Sequence, residues 1–461
     1  MRGKVAPGPS PYDFRRSRTK HRPPHPNPLP PLTRWERGFD PDPRFPLRRS
    51  GLETPQCQNR RVTTVDEALA IVAGACSPGS GEFVPLADAQ GRVLARPISS
   101  DVDWPPFDTS AMDGYALRFA DLGAAGGSFA ERASTTAAGD SPGLPLGAGE
   151  AVRVMTGAPL PDGADTVVPV EDSLSAPGRV SFRIVPKSGD HVRRRGESIV
   201  AGTALLPSGR RLDPAGIALA ALAGAEPVFV HRRPRVVVAV TGNELVAAEK
   251  LPAAGQLRDS NGPMLLALCR ARGVAASARL PVSDQEEAVR ALFAKAGEQE
   301  DVLVTSGGVS AGDFDLLPEA AQRAGFEMLF HGVAMRPGKP VAFGRRGTTL
   351  WFGLPGNPVS SAVCFRLFVR RALDALEGDA APGPTLLPAR LARSLPVRGR
   401  RETYRDAVLD RSGPETRILP VDGRGSHDLA AHSRADALLR IPADTERLEE
   451  GDVVSYVPLE G

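Results

Sequence analysis

The sequence predicts an α/β plus β protein of several domains, with a parallel-sheet α/β domain at its centre and mostly β regions on either side. Three observations carry this. Over residues 234–377 four short apolar runs alternate with stretches of helical period, the pattern of a parallel sheet with helices on both faces. Residues 133–206 and 385–461 instead break every few positions at Gly or Pro between Val-rich runs, as in AGEAVRVMTGAPLPDGADTVVPVED, which reads as short strands and turns. The length of 461 residues leaves room for roughly three domains of about 150 residues each.

Taken in order, residues 1–60 are rich in Pro and Arg and poor in apolar groups, and read as a disordered basic extension. They hold 13 Lys and Arg against 5 Asp and Glu, a net of +8 within a chain of +3, which leaves −5 for the remainder. Residues 61–232 form the next unit. TTVDEALAIVAGAC predicts a helix with Thr64 as N-cap and Glu67 completing a capping box. Pro105 and Pro106 exclude a regular helix in SDVDWPPFDTSAMDGYAL, so Asp103, Asp108, Ser110 and Asp113 sit on a rigid loop. KSGDHVRRRGES carries Arg193, Arg194 and Arg195, a run that reads first as wet surface and second as a phosphate or subunit contact. A helix opened by Asp213-Pro214 and stopped by Gly224 closes this unit.

The α/β unit spans 233–378. Its strands are VVVAV, VAASARLPV, DVLVT and TTLWFG, its helices start after Asn261, at Asp284, at Leu316 and in PVSSAV, and FEMLFHGVAMRPGKPVAFG reads as a strand with a Gly/Pro turn. Such sheets bind ligands at the loops following their strands. Those loops hold Thr241-Gly242-Asn243-Glu244, Ser306-Gly307-Gly308, Arg336-Pro337-Gly338-Lys339 and Pro355-Gly356-Asn357-Pro358. In DVLVTSGGVSAGDFD, adjacent glycines let backbone N–H groups converge on one point beside the hydroxyls of Thr305, Ser306 and Ser310, a site suited to an anion. Asp313 and Asp315 follow, and carboxylates beside a phosphate point to a divalent cation. Residues 385–461 form the last unit, with Arg400, Arg401 and Ser426 as polar clusters and His427 as a surface residue.

The charge balance gives no support to nucleic-acid binding by the folded part. No apolar run approaches the roughly 20 residues of a membrane span, and the N-terminus shows no signal-peptide pattern. Cys57, Cys76, Cys269 and Cys364 form no C-x-x-C pair, which points to a reducing cytoplasm rather than a disulfide or zinc framework.

With these residues laid out, the chain resembles the molybdopterin molybdenumtransferases of molybdenum cofactor biosynthesis, including the E domain of gephyrin. The matching motifs are SAMDGYA (110–116), TGAPLPDGADTVV (156–168), TGNEL (241–245), SGGVSAGDFD (306–315), RPGKP (336–340) and GLPGNPVS (353–360), in family order over about residues 62–458. The resemblance implies an elongated N-terminal region of two small β domains, a C-terminal β-barrel-like domain, and a homodimer. It also implies a reaction in which molybdate and adenylylated molybdopterin give pterin-bound molybdenum and AMP, with Mg2+ as cofactor. On the matching positions, Asp113, Thr156, Glu244 and Asp315 become the catalytic set, the first two reaching the partner subunit's pocket. Asp259, Asn261, Ser306, Gly307, Gly308, Ser310, Pro355, Gly356 and Asn357 become pterin-binding. Arg336, Lys339, Ser360, Arg400, Arg401 and Ser426 become molybdate-binding, and Glu244, Asp313 and Asp315 the metal set. Two positions depart from the family pattern: Arg336 replaces a lysine, exchanging a point charge for a planar fork, and Ser198 stands where an acidic residue is usual. Two alternatives stand beside this reading. One is a noncatalytic scaffold, the other a molybdopterin adenylyltransferase-like enzyme sharing only the α/β domain. Contacts with other proteins of cofactor biosynthesis are a further expectation.

Overall fold

The computed structural model describes residues 63–123, 127–282, 285–298, 300–309, 316–397 and 399–459. The basic extension, Asp284, Ser310, Asp313 and Asp315 lie outside the described residues.

Helix α1 (Val65–Ala75) begins as its sequence requires: the Thr64 hydroxyl accepts from the Glu67 N–H and the Glu67 carboxylate accepts from the Thr64 N–H. Its Val65, Ala68 and Val72 are buried against the core of the central sheet. The mostly β region that follows is organised by a six-stranded curled sheet of β1 (Gly114–Leu117), β2 (Ser128–Thr136), β3 (Glu150–Val154), β4 (Thr166–Pro169), β5 (Ser173–Ala176) and β6 (Arg179–Phe182), in the order β4-β1-β3-β2-β6-β5. A separate core of Val84, Leu94, Ile98, Leu206, Leu212 and Val230 packs beside α2 (Pro214–Leu222), whose N-cap Asp213 accepts from the Gly216 N–H. The triple arginine is more than solvated surface: Arg194 pairs with Asp108 at 2.7 Å and Arg195 with Asp103 at 2.6 Å, pinning the Pro105-Pro106 loop.

The central sheet contains β7 (Val236–Thr241), β8 (Ala276–Val282), β9 (Val302–Ser306), β10 (Glu327–His331), β12 (Ala342–Arg346) and β13 (Thr349–Leu354), in the order β8-β7-β9-β13-β12-β10. Alternate residues feed two cores. Val236, Val238, Val302, Val304 and Phe352 face α3 (Asn261–Ala271) and the helix from Pro358 to Leu376, while Val237, Ala239, Leu303 and Trp351 face α4 (Glu286–Lys295) and α5 (Leu316–Arg323). Helices therefore cover both faces, as the pattern predicts. The sheet is not wholly parallel: β12 runs antiparallel to β13 and β10. The Arg346–Thr349 turn returns the chain within a few residues, and a connection that short joins only antiparallel strands. The 326–344 stretch, read as one strand with a turn, contains three, because β11 (Met335–Arg336) leaves the sheet for the C-terminal domain. The cap expected at Asp284 is also displaced: α4 has Gln285 at its N-cap position, with no capping side-chain hydrogen bond.

The last helical stretch runs as α6 (Pro358–Cys364), five residues of π geometry (Phe365–Val369), and α7 (Arg370–Leu376). Its C-terminal end meets the β region in a buried ion network, where Arg211 reaches Glu377 at 2.6 Å, Asp379 at 2.9 Å and Asp374 at 3.3 Å. The C-terminal domain is a closed five-stranded barrel of β14 (Leu387–Leu391), β15 (Glu402–Asp410), β16 (Arg417–Pro420), β17 (Ala437–Ile441) and β18 (Val453–Pro458). Pairing runs β15-β16-β14-β18-β17 and back to β15, which leaves no open edge. A short helix, α8 (Leu429–His432), sits between β16 and β17.

Candidate functional site

The central loop begins where β9 ends. Val302 to Ser306 are all buried, and Trp351 Nε1 donates to Thr305 Oγ1 at 3.0 Å, fixing the strand just before the loop. Gly307 and Gly308 have φ of +97° and +58°. A Cβ on Gly307 would stand 2.6 Å from the Thr241 carbonyl oxygen, so this backbone passes β7 at a distance only glycine permits. Ser306 differs from its expected role as a cradle, since its hydroxyl is turned inward. It receives a hydrogen bond from Asn261 Nδ2 at 2.9 Å and donates to the Pro355 carbonyl at 3.2 Å, with Ser361 Oγ at 3.5 Å. The same Asn261 amide donates to the Gly356 carbonyl at 2.7 Å. Asn261, at the first position of α3, thereby locks the Ser-Gly-Gly loop to the Pro-Gly-Asn loop. Its Oδ1 is buried without a partner among the described residues, as is the hydroxyl of Thr241.

Around this clamp the predicted groups fall into place unevenly. Asp259 accepts from the Gly262 N–H at 2.9 Å, so its carboxylate is engaged at the start of α3. Glu244 is exposed, its carboxylate beside Gly242 and without an ion-pair partner among the described residues. Asn357 Nδ2 donates to Ser426 Oγ at 3.0 Å and the Val359 N–H to the Ser426 carbonyl at 3.1 Å, which brings the barrel to the Pro-Gly-Asn loop.

Arg336 and Arg401 come together where the sheet domain meets the barrel. Strand β11 pairs with β15, placing Arg336 opposite Thr403, and Arg401 Nη1 donates to the Met335 carbonyl at 3.2 Å. Arg336, Lys339, Arg400 and Arg401 are all exposed, and none has a carboxylate within ion-pair distance among the described residues. Ser360 is buried on α6.

In the β region, Asp113 Oδ1 accepts from the Thr156 N–H at 2.6 Å and from its hydroxyl at 2.7 Å. These bonds, the backbone one first, hold the Asp113 carboxyl below the usual carboxylate range. The two residues singled out there are thus direct partners. Ser198, the atypical position, offers its N–H to the Trp104 carbonyl at 3.1 Å. His427 is exposed. Sequence reasoning missed Thr241 as a buried hydroxyl and Ser361 behind Ser306. Ser361 lies one helical turn from Asn357, which was the available signal. Among the described residues no cluster of three or more His, Cys, Asp or Glu forms a metal site.

Fold and site together define a multidomain α/β protein with glycine loops at the carboxyl ends of its strands and exposed cations on the segments where the sheet domain meets an adjoining barrel. Three family models match in succession: MoeA N-terminal region (domain I and II) over residues 63–224, probable molybdopterin binding domain over 237–375, and MoeA C-terminal region (domain IV) over 388–459. A molybdopterin molybdenumtransferase of Nostoc sp. is 38% identical over 331 residues, covering 70% of this chain and 76% of the relative. Molybdopterin molybdenumtransferase 2 of Mycobacterium tuberculosis is 36% identical, covering 85% of this chain and 98% of the relative. The crystal structure of the molybdopterin biosynthesis MoeA protein from Pyrococcus horikoshii is similar at a TM-score of 0.74 and 27% identity, over 86% of this chain and 100% of that one. The chain belongs to the molybdopterin molybdenumtransferase family.

Proposed function

We propose that this protein inserts molybdenum from molybdate into adenylylated molybdopterin and releases AMP, as a transferase of molybdenum cofactor biosynthesis. The observation that supports this most directly is the Asn261 clamp, which sets two glycine loops side by side at the strand ends, in a chain that also exposes four cations without carboxylate partners among the described residues. The family matches extend across the β region and the barrel, which an adenylyltransferase sharing only the α/β domain would not need.

Each group then has a task. Gly307 and Gly308 offer backbone to the pterin phosphate, with Pro355, Gly356 and Asn357 completing that wall. Arg336, Lys339, Arg400 and Arg401 hold the molybdate dianion by charge-assisted hydrogen bonds, with Ser426 and Ser360 as hydroxyl companions. Asp113, held ionised by Thr156, serves the partner subunit's pocket, so the working form is a homodimer. Glu244, an exposed carboxylate without an ion-pair partner among the described residues, offers the hard oxygen donor that Mg2+ prefers, and Asp313 and Asp315 are its proposed companions. When bound, Mg2+ supplies charge compensation to the phosphoanhydride. The proposed units are 61–232, 233–378 and 385–461. Among the described residues no helix is long and apolar enough to cross a membrane. Cys76, Cys269 and Cys364 are free thiols, in keeping with a cytoplasmic location.

The test is AMP release from adenylylated molybdopterin by the full chain with Mg2+, with and without molybdate. Release that depends on molybdate, with pterin-bound molybdenum appearing, is the expected result; none from a folded protein refutes the reading. Mixing Asp113→Asn with Glu244→Gln protein examines the shared site. Each variant alone is inactive, and mixed dimers regain one intact site. No recovery despite subunit exchange refutes the contribution across subunits.

A further inference from the structure

The place where β11 meets the barrel carries a carboxylate as well as cations. In the parallel pairing of β11 with β15, Met335 lies opposite Glu402 and Arg336 opposite Thr403. Arg401, whose guanidinium donates to the Met335 carbonyl at 3.2 Å, is the residue before Glu402. Glu402 therefore stands one position from two exposed guanidiniums that have no carboxylate within ion-pair distance among the described residues. Its own charge is engaged elsewhere. Arg440 on β17, directly opposite Tyr404, forks onto it, with Nε 2.9 Å from Oε1 and Nη2 3.1 Å from Oε2. The Tyr404 hydroxyl donates to the same Oε1 at 2.6 Å. Burial first, and then the Glu402 carboxylate, push the Tyr404 phenol well above its usual range, so it remains a donor. Arg440 and Glu402 are sheltered, their side chains 23% and 13% exposed. They lie on the barrel face that packs against the sheet domain, where Tyr404 joins Met335, Leu438 and Val457 in one core. Arg440 also reaches Asp66 of α1 at 3.5 Å, and α1 starts against the β11 segment, since the Ala334 N–H donates to the Thr63 carbonyl at 2.8 Å.

A dianion feels a nearby carboxylate without touching it, because charge acts over distances longer than contact and is screened least where the groups are partly buried. A bare Glu402 would offset one of the two guanidiniums beside it before any anion arrived. The bidentate fork of Arg440 prevents this, and the Tyr404 hydroxyl holds the carboxylate in that fork. We propose that Arg440 is a positioning residue that acts through Glu402: it confines and neutralises that carboxylate, so that the charge of Arg336 and Arg401 is left for a tetrahedral dianion. This assignment rests on the transferase reading above, which puts molybdate on these cations.

The experiment measures molybdate binding to the full chain by calorimetry for wild type, Arg440→Gln, Arg440→Lys, Glu402→Gln and the double variant Glu402→Gln with Arg440→Gln. Arg440→Gln bares the carboxylate and weakens molybdate binding about fivefold to tenfold at low salt, and by less at high salt. Arg440→Lys keeps the charge and stays near wild type. Glu402→Gln breaks the same ion pair but removes the negative charge, and binds molybdate at least as tightly as wild type. The double variant, neutral at both positions, returns to within about twofold of wild type. In turnover, Arg440→Gln raises KM for molybdate by more than KM for the adenylylated substrate. A pair that serves only to hold the fold gives the opposite pattern, in which both single variants weaken molybdate binding and the double variant recovers nothing; that result overturns the proposal. Should Arg440→Gln fail to fold, weaker binding by Glu402→Gln protein with an unchanged circular dichroism spectrum overturns it equally. The expected binding pattern without molybdate-dependent AMP release from wild type strikes the transferase reading and leaves the charge compensation standing. Molybdate-dependent AMP release with no recovery in the double variant does the reverse.

Discussion

Replacing Gly307 with alanine tests the geometry on which the proposed anion cradle depends. The new Cβ meets two obstacles that add. At φ of +97° an L-residue is strained, which costs about 1–3 kcal/mol. The methyl also falls 2.6 Å from the carbonyl oxygen of Thr241, a backbone atom in a buried strand that cannot swing aside. Thr241→Ala gives no relief, since the carbonyl remains. The loop must move, and with it the hydrogen bonds that join Ser306 to Asn261 and Pro355. We expect a loss of about 2–4 kcal/mol from the sheet domain, and AMP release reduced by at least about tenfold, since misplaced contacts cost catalysis steeply. Gly356→Ala is the internal control for stability, because its Cβ would meet only the Gly307 Cα, at 3.8 Å, and its φ is not positive. Urea unfolding and AMP release on both variants decide the matter. Gly307→Ala protein with wild-type stability and turnover would show that the close approach to β7 does not shape the site.

Other expectations follow from the same geometry. Asn261→Ala removes two hydrogen bonds and leaves the Gly356 carbonyl unpaired, for a loss of about 1–3 kcal/mol and a larger proportional loss of turnover than of stability, read by denaturation and AMP release in parallel. Arg211→Met strips the ion-pair partner from Glu377, whose side chain is 1% exposed, while Asp374 keeps Arg272, and destabilises by about 3–5 kcal/mol in urea unfolding. Acid stability turns on Asp301, whose paired guanidinium Arg232, at 2.8 Å on both oxygens, overcomes burial and brings its carboxyl from 3.8 to about 2. A folded value below the unfolded one means stability that is present above about pH 4 and lost as pH falls towards about 2, worth about 2 kcal/mol. Asp301→Asn flattens that part of the pH–stability curve, and an unchanged curve refutes the assignment. Arg336→Gln raises KM for molybdate with little change in KM for the adenylylated substrate, measured in the AMP-release assay.

Much of this protein was written in local sequence, because local rules act over a few residues. The Thr64–Glu67 capping box, the Asp213 cap and the short apolar runs that become the fully buried strands β7 and β9 each depend on local sequence alone, and the fold keeps them. Adjacent glycines marked the Ser-Gly-Gly loop for the same reason. Tertiary structure decided what spacing cannot carry. It alone turned the Ser306 hydroxyl inward, since that depends on Asn261, 45 residues earlier in the chain, and on the Pro355 carbonyl, 49 later. It sent β11 out of the central sheet to pair with the barrel, because a two-residue strand beside a Gly/Pro turn has too little pattern to specify its partner. That pairing brings Arg336 beside Arg401, so these two exposed cations meet only once the sheet domain and the barrel have met. The identity of the charges belongs to the sequence; their convergence is a long-range consequence of packing.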